Sequence, residues 1–466
     1  MIGPNQLPGY IISARPNPAS NRAPWYKNTA PTYAGIFLWF VFWQDAAKAG
    51  APGGTLGQGL GWALLSLAVS AVVCYALFYL VPALFGLRTG LPLYIVGTST
   101  FGATGGFLMP GFLMGVLQFG WLGVNTYFAS VALHAVIPVD ARIIMVVWGV
   151  LAAFIGLKGI RYVAKVATYV PVITLVILVW LAVRTMGGVG QFDPAALVKV
   201  QQADAMSTAA PLGLFGVLAA MLTYVVGFFA TAGAAGVDFG TNSRNPQDVK
   251  WGGLFGIALA IFVTAGISLI IVAGVAGPAH GAVSSMSSLD LIPTVLGQAT
   301  AKWVLFLLAV TAFPPACFAA FIAANSFKTT LPDLNPFISV GIGATVSVIL
   351  AVTGLVAKAV SVFVIIGASF GPICGAMLVD YLLSRGKWTG PRAGFNPAGW
   401  AAWGLGFVVG ILPNLGVNLP AAPVAAFVVG AVVYFLCAKA GLQTAVIPLP
   451  EKSGVELPAA EPDLTQ

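Results

Sequence analysis

The chain has 466 residues, of which 59% are hydrophobic and only 7% are charged, and its formal net charge is +8. Soluble domains carry about 25% charged residues, so this composition and a mean hydropathy of +0.95 exclude a soluble protein. The sequence predicts an all-α polytopic membrane protein, in which excess positive charge reports topology rather than nucleic-acid binding.

Catalytic and metal-binding chemistry have no clear pattern in this sequence. The two histidines, His134 and His280, form no H-E-x-x-H pair, and the four cysteines lie in apolar runs without metal-type spacing. Clustered ligands are what a metal site needs, and a channel filter needs a ring of repeated residues. We therefore expect neither an enzyme nor a channel, and no cofactor.

The chain begins with a Pro- and Asn-rich tail, residues 1–31, without the apolar core of a signal peptide. Segments long enough to cross a bilayer, about 17 apolar residues, then recur within a membrane domain at 32–441. They are numbered here as spans 1 to 12: 32–50, 57–85, 103–134, 141–158, 161–184, 210–236, 251–277, 302–325, 336–355, 357–384, 398–415 and 420–441. A C-terminal tail follows at 442–466, and we expect its acidic end, 451–466, to be disordered.

Basic residues predict the orientation. Of the 21 Lys and Arg residues, fifteen fall in loops on the side of the N-terminus and six on the other side. Because basic loops stay in the cytoplasm and the number of spans is even, we expect both termini to be cytoplasmic, in the plasma or inner membrane.

Two spans carry interruptions. Span 1 is broken by Gln44 and Asp45, and span 6 contains Gly227, Gly233 and Gly236. They lie five spans apart, which is the spacing of a five-plus-five inverted repeat with two additional helices, and interrupted helices in corresponding halves indicate a transport site. A carboxylate inside a span is costly and usually faces a cavity, a partner or a transport path.

Four motifs occur in order along the chain: GGTLG at 53–57, QFGWLGVNTY at 118–127, GFFATAGAAGVDF at 227–239, and GPICGAMLVDYLLSRGKW at 371–388 followed by GFNPAGW at 394–400. With these motifs the chain resembles the nucleobase:cation symporter-1 family, most closely its bacterial cytosine-permease branch. The resemblance implies the leucine-transporter fold, with broken helices 1 and 6 around a midplane site. It also implies uptake of a nucleobase, hydantoin or related heterocycle by alternating access, driven by sodium or protons.

In span 3, the resemblance assigns substrate stacking to Trp121, whose aromatic face suits any planar ring. Asn125 lies one helical turn later on the same face, where its amide can both donate to and accept from a ring amide edge. The alternative is that Trp121 is a core aromatic residue and Asn125 makes an interhelical hydrogen bond.

In span 6, Phe229 matches the family's aromatic residue that covers the opposite face of the substrate, with Phe228 and Thr231 as neighbours. Gly227, just before this pair, would let the backbone approach a ligand. The alternative is that the Phe pair packs against other helices or lipid.

At the inner end of span 6, Asp238 matches an acidic residue of the family, and Arg244 matches one of its basic positions. We interpret Asp238 as a gate or capping residue and Arg244 as a second gate candidate, and a solvated loop is the alternative for Asp238.

Span 8 departs from the family's pattern. The family usually has hydroxyls and an asparagine there, but this chain has Ala312 and Phe313 at the hydroxyl positions, followed by Pro314 and Pro315. Thr311 is the hydroxyl that remains as an ion-coupling candidate. Sodium prefers oxygen ligands, so the coupling ion, proton or sodium, stays open.

Asp45 is a second departure, because the family generally has no acid at this point of span 1. It could carry a proton, since burial raises a carboxylate's pKa, or pair with a cationic substrate, or pair with Lys48 three residues later. Gln44 is the candidate for a plain hydrogen bond to the substrate.

The sequence thus predicts a symporter for a small planar nitrogen heterocycle, bound by Gln44, Trp121, Asn125 and Phe229 within the bilayer. We expect no nucleic-acid partner and no obligate protein partner. The second hypothesis keeps the fold but assigns a cationic amine or vitamin precursor paired with Asp45.

Overall fold

A computed structural model of the chain describes residues 7–28, 51–158, 170–204, 210–278, 287–331 and 333–449. The regular elements within these ranges are helices, accompanied by two isolated bridges between short extended segments. Span 1, with Gln44, Asp45 and Lys48, lies outside the described residues, as does the C-terminal segment 450–466.

Ten helices in the described ranges are long and apolar enough to cross a membrane, and a shorter apolar helix, Pro336–Val352, coincides with span 9. The ten are Leu60–Thr89 (span 2), Phe107–His134 (span 3), Ala141–Lys158 (span 4), Val172–Val189 (span 5), Leu214–Ala234 (span 6), Pro246–Ala276 (span 7), Gln298–Lys328 (span 8), Val360–Leu383 (span 10), Pro397–Leu415 (span 11) and Ala422–Lys439 (span 12). Each predicted span from 2 to 12 is therefore confirmed as a helix.

Short elements lie before, between and at the ends of the spans. They are the helices Gly9–Ile12, Leu93–Val96, Thr98–Phe101, Pro194–Asp204, Gly236–Thr241 and Ser288–Leu296, and the 3-10 turns Ala19–Asn21, Gly54–Leu56, Leu355–Ala357 and Leu412–Leu415. The GGTLG motif contains one of these turns. Gly53 has a left-handed φ of 79° and its N–H donates to the Gln201 side chain at 2.7 Å, which ties the turn to the helix Pro194–Asp204.

Among the described helices, two long ones are each interrupted at a single residue. Span 6 ends at Ala234 and, after Ala235, the short helix Gly236–Thr241 follows. Span 8 is interrupted at Ala312, two residues before Pro314, because Pro314 and Pro315 have no N–H to donate to the preceding turn. Spans 2, 3 and 7 also contain π-helical turns, and such turns often occur in functional helices.

Spans 3, 4, 8 and 9 pack against one another and form what we call the scaffold bundle. Small residues allow this close packing, as in other membrane proteins. A Cβ on Gly156 of span 4 would lie 2.3 Å from the carbonyl oxygen of Cys317 in span 8. On the other side of span 3, span 6 packs against spans 2 and 10, and span 10 packs against spans 11 and 12.

Residues 7–28 are folded against one face of the membrane domain, which we call the N-terminal face. Ile11 is buried, and the Tyr10 ring lies 5.1 Å from that of Phe107 at the start of span 3. Further along, the Trp25 ring stacks on Phe255 of span 7 at 4.9 Å, and the backbone N–H of Trp25 donates to Asp248 Oδ1 at 3.1 Å. This segment therefore connects the beginning of span 3 to the beginning of span 7.

A buried carboxylate ties the C-terminal helices together near the same face. Asp380 of span 10 accepts hydrogen bonds from Ser99 at 2.7 Å, Thr100 at 3.1 Å and Tyr434 of span 12 at 2.8 Å. Three hydroxyl donors satisfy an acid that would otherwise be costly to bury. The carboxylate thereby fixes the connection between spans 2 and 3 to spans 10 and 12.

Candidate functional site

An aromatic cluster lies where spans 3, 6 and 10 meet. The ring of Trp121 packs edge-on against Phe228, with centroids 4.8 Å apart at 73°, and lies 5.7 Å from Phe363 at 32°. Phe228 packs edge-on against Phe363 at 5.3 Å, and Tyr224 does so at 5.1 Å. Trp121 is half-buried while the other three rings are buried, so its indole is the one with surface left to offer a ligand.

Polar groups adjoin the indole. Trp121 Nε1 donates to Thr231 Oγ1 of span 6 at 3.3 Å, so the predicted neighbours in spans 3 and 6 do meet. Asn125 Nδ2 donates to the Trp121 carbonyl of its own helix at 2.8 Å, whereas Asn125 Oδ1 is buried and has no hydrogen-bond partner.

The unpartnered oxygen of Asn125 is the main polar feature of this cluster. Buried polar atoms are rarely left without a partner, and each exception calls for an explanation. The hydroxyls of Thr126 and Ser130 in the same span also lack a partner, but a hydroxyl can bond its own helix by rotating. An amide oxygen can only accept, so Asn125 Oδ1 is available to a donor that enters the cluster.

Sequence reasoning missed several residues of this site. Phe363 and Tyr224 had no assigned role, and Gln118 was part of a quoted motif without one. Gln118 lies on the same face of span 3 as Asn125, is buried, and donates to the weak thioether acceptor of Met114 at 3.5 Å. The seven-residue spacing of Gln118 and Asn125 was the available signal, whereas Phe363 comes from a distant span and only tertiary contacts reveal it.

In span 6, Phe228 makes the ring contact with Trp121, whereas the Phe229 ring lies near Gly233, one turn later in the same helix. A Cβ on Gly233 would lie 3.3 Å from the Phe229 ring and 2.7 Å from Phe78 of span 2. Gly227 approaches another helix, because its Cβ would lie 2.6 Å from the Phe363 carbonyl oxygen. The glycine at 227 thus lets spans 6 and 10 come close, which places Phe363 in the cluster.

The interruption of span 8 lies among apolar residues. Ala312 packs with Ala129 and Ala309, and Phe313 packs edge-on against Trp148 of span 4 at 4.9 Å. The Thr311 hydroxyl donates to the Leu308 carbonyl at 2.8 Å. The positions where hydroxyls were expected by resemblance therefore hold hydrocarbon that faces spans 3 and 4.

The two gate candidates both lie at the N-terminal face, but the structure does not pair them with each other. Asp238 accepts a hydrogen bond from the Leu93 N–H at 3.1 Å. Asp238 is exposed as a residue, but neighbouring protein atoms desolvate its carboxyl group. This desolvation raises the pKa of Asp238 to about 6, whereas the hydrogen bond from Leu93 lowers it by a smaller amount. Arg244 forms an ion pair with Asp248, Nε to Oδ2 at 2.8 Å, and Asp248 also accepts from Trp25 of the N-terminal segment.

Comparison with known protein families identifies the family of this chain. Residues 16–437 match the family model described as permease for cytosine/purines, uracil, thiamine, allantoin. The chain belongs to this family. It is a nucleobase-type permease, a multi-pass membrane transporter that binds small molecules, and not an enzyme.

Individual relatives agree with the family. The permease is 26% identical to the cytosine permease of Escherichia coli strain K12 over 344 residues, which cover 72% of this chain and 74% of that one. Among solved structures, Mhp1 in an inward-facing conformation has a TM-score of 0.65 at 15% identity and covers 93% of this chain and 97% of its own.

Two further structures bear on the fold. Mhp1, a nucleobase-cation-symport-1 family transporter, in a closed conformation with bromovinylhydantoin bound has a TM-score of 0.63 at 17% identity, covering 96% and 98%. A substrate-bound, outward-open Na⁺-coupled sialic acid symporter has a TM-score of 0.59 at 13% identity, covering 92% of each chain. The permease has the leucine-transporter fold, as its sequence predicted.

Proposed function

We propose that the permease is a secondary active symporter for a small planar nitrogen heterocycle, which binds beside Trp121 at the junction of spans 3, 6 and 10. The observation that carries the proposal is the buried, unpartnered Asn125 Oδ1 next to a half-buried indole. A heterocycle with a ring N–H or amino group would stack on the indole and donate to this oxygen. The family description, which names cytosine, purines and uracil, supports the same class of substrate.

Trp121 and Asn125 would recognise different features of the substrate. Trp121 selects for a flat ring of any kind, and Asn125 selects for a donor at the ring edge. Gln44 of span 1 would add a hydrogen bond from a second helix of the same repeat, and Phe229 of span 6 remains a candidate for the second ring face. Closure of Phe228 and Phe363 over the ligand would exclude water from the site, which alternating access requires.

A substitution series tests this site. Trp121→Ala should reduce the affinity for cytosine at least tenfold, because it removes the stacking surface, with folded protein retained. Asn125→Leu should reduce affinity by a similar factor while thermal stability is kept or raised, since it replaces an unsatisfied buried oxygen with hydrocarbon. The measurement is equilibrium binding of radiolabelled nucleobases to purified protein.

The matched control is Trp148→Ala in span 4, which removes an aromatic residue of the same type from the cluster with Phe313. It should lower stability without changing the affinity of the folded protein. Unchanged nucleobase, hydantoin and purine binding in both Trp121→Ala and Asn125→Leu would contradict the proposed site.

A second candidate substrate class is a cationic amine or vitamin precursor. It is favoured by Asp45, an acid where the family generally has none, and by thiamine in the family description. Under this alternative, Asp45→Asn weakens substrate binding even without an ion gradient. If Asp45 carries the coupling proton instead, Asp45→Asn binds substrate normally but no longer accumulates it in vesicles. Lys48→Gln tests a local pair with Asp45, and under either of these two roles it leaves binding and accumulation unchanged.

We infer that the coupling ion is a proton rather than sodium. The support is the apolar character of the span 8 interruption, where Ala312 and Phe313 supply no side-chain oxygen and Thr311 supplies a single hydroxyl. Hard cations need several oxygen ligands. Uptake into vesicles with sodium and pH gradients imposed separately tests the inference, and accumulation driven by sodium alone would contradict it.

We also propose that the N-terminal face is cytoplasmic, so that both termini lie inside the cell in the plasma or inner membrane. The support is the excess of Lys and Arg in the loops of that face. Single cysteines placed at Asn21 and at Gly190 test it, and only the second should react with an impermeant thiol reagent in intact cells.

A further inference from the structure

A long apolar groove lies on the outer surface of the scaffold bundle, between spans 4 and 9. Its volume is about 460 Å³. The lining residues are Val146, Val150, Ala153, Phe154, Leu157, Phe337, Val340, Gly341, Ala344, Thr345, Val348 and Ile349. The one hydroxyl among them, on Thr345, donates to the Gly341 carbonyl of its own helix at 2.8 Å, so the groove offers hydrocarbon and no free side-chain donor.

The shape of the groove suits a single chain. It follows span 4 from Val146 to Leu157, about 16 Å at 1.5 Å per residue. Its floor is made of small buried residues, Ala153 and Ala344, and its walls are exposed larger ones such as Phe154 and Ile349. Gly341 keeps it open, since a Cβ there would meet no atom within 4 Å. A planar heterocycle would find no hydrogen-bond partner here, whereas an extended acyl chain needs none.

Lys158 lies at one end of the groove. Lys158, the last residue of span 4, is exposed and its Nζ lies 4.8 Å from the centre of the Phe337 ring, which lines the groove. Among the residues that the structure describes, Lys158 has no carboxylate within ion-pair distance. The groove thus runs into the hydrocarbon from a lysine at the level of the membrane surface, on the N-terminal face.

We propose that this groove binds an acyl chain of an anionic phospholipid whose phosphate pairs with Lys158. The lipid belongs to the leaflet at the N-terminal face, which our orientation makes the cytoplasmic one, where anionic headgroups attract basic residues at the membrane surface. The site goes beyond substrate transport and is independent of which heterocycle is carried.

Charge also argues against a second copy of the chain as the occupant. Membrane dimers with twofold symmetry use the same surface on both subunits. Such a dimer through this groove would bring the two Lys158 side chains to the same membrane depth at one interface, with no described carboxylate to separate them. An anionic headgroup supplies the missing negative charge.

Bound lipid would act on the bundle as a ligand. A chain lying between spans 4 and 9 contacts both helices and stabilises the folded protein by mass action. It would hold these two helices of the scaffold bundle together while other spans move during transport.

The test is the unfolding temperature of the full-length, detergent-purified protein with added phosphatidylglycerol or phosphatidylcholine of identical acyl chains. We expect both lipids to raise the unfolding temperature and phosphatidylglycerol to raise it more. Gly341→Leu, which fills the groove, should remove the rise with both lipids. Lys158→Gln should remove only the advantage of phosphatidylglycerol.

Matched controls exist for both variants. Gly404→Leu adds the same side chain at an open glycine of span 11, and Lys439→Gln removes a lysine of span 12 whose Nζ lies 5.7 Å from the Phe435 ring. Both should respond to lipid like the wild type. Should Gly341→Leu fold poorly, Lys158→Gln alone decides, because it changes an exposed residue and leaves packing intact.

Three results would overturn the proposal. One is a full preference for phosphatidylglycerol in Lys158→Gln, and another is an undiminished lipid response in folded Gly341→Leu. The third is a lipid-free dimer of the wild type that Gly341→Leu dissociates, which would make the groove an interface between copies.

Discussion

Span 3 has two surfaces that differ in how closely they are packed. Toward spans 4, 8 and 9 it meets a bundle held by close approaches of small residues. Toward spans 6 and 10 it presents Trp121 and Asn125, where an indole is half-buried and an amide oxygen has no partner. The first surface is tightly packed and should keep one arrangement. The second leaves a hydrogen-bond acceptor unsatisfied, which a bound ligand would pair.

This difference in packing predicts where the permease tolerates substitutions. A bundle with backbone in contact with backbone has no room for an extra atom. A binding junction has room and unsatisfied groups, so substitutions there should change affinity more than stability.

The largest effect is expected from filling the scaffold bundle. Gly156→Leu forces side-chain atoms against the Cys317 carbonyl, which is 2.3 Å from the ideal Cβ position, and should destabilise the protein by about 3 kcal/mol. Fluorescence-detected size-exclusion chromatography should show little folded protein. Gly341→Leu is the matched control, because that glycine has open space, and equal yields of the two variants would show that the bundle is less rigid than its contacts indicate.

An intermediate effect is expected within the aromatic cluster. Phe228→Leu removes the ring that packs against Trp121 and should weaken nucleobase binding several-fold, in line with about 1 kcal/mol for an aromatic pair. Phe229→Leu should have a smaller effect, since that ring lies beside Gly233. Isothermal titration with both variants measures the difference, and a stronger effect at Phe229 would support the assignment of Phe229 to the second face of the substrate.

The smallest effect is expected at Asp238. Its pKa is raised to about 6 in the folded protein, above about 3.9 for an unfolded aspartate, so the folded state binds more protons between these values. Stability from this group is therefore lost as the pH rises from about 4 to 6. Asp238→Asn should lack this loss. Its unfolding temperature, relative to that of the wild type, should therefore be higher at pH 7 than at pH 5. Parallel curves of unfolding temperature against pH for the two proteins would contradict the raised pKa of Asp238.

Much of the fold could be predicted because hydropathy is a local property. Spans 2 to 12 each appear as a helix near the predicted bounds, and Pro314 and Pro315 indicated an interruption in span 8. The glycines of span 6 also indicated its interruption, which lies at Ala235, between Gly233 and Gly236. Gly227 instead serves the contact with span 10.

The site could be predicted only in part. The family motifs brought Trp121, Thr231 and the Phe pair to one region, and the hydrogen bond between Trp121 and Thr231 agrees with that. Phe363 could not be found in this way, because nothing local distinguishes one phenylalanine of span 10 from the others. The role of residues 7–28 was hidden for the same reason, since their contacts with spans 3 and 7 join segments far apart in the chain.

Hydropathy and motifs along the chain predict that it crosses a membrane many times, which segments cross it, and which family it resembles. These follow from the cost of placing polar groups in hydrocarbon and from motifs that are each continuous in the chain. Tertiary structure alone decided that Phe228 faces Trp121, that Gly227 admits Phe363, and that Lys158 stands at the end of a groove. Each of these depends on two helices meeting, and the packing of distant side chains, not local composition, decides which helices meet.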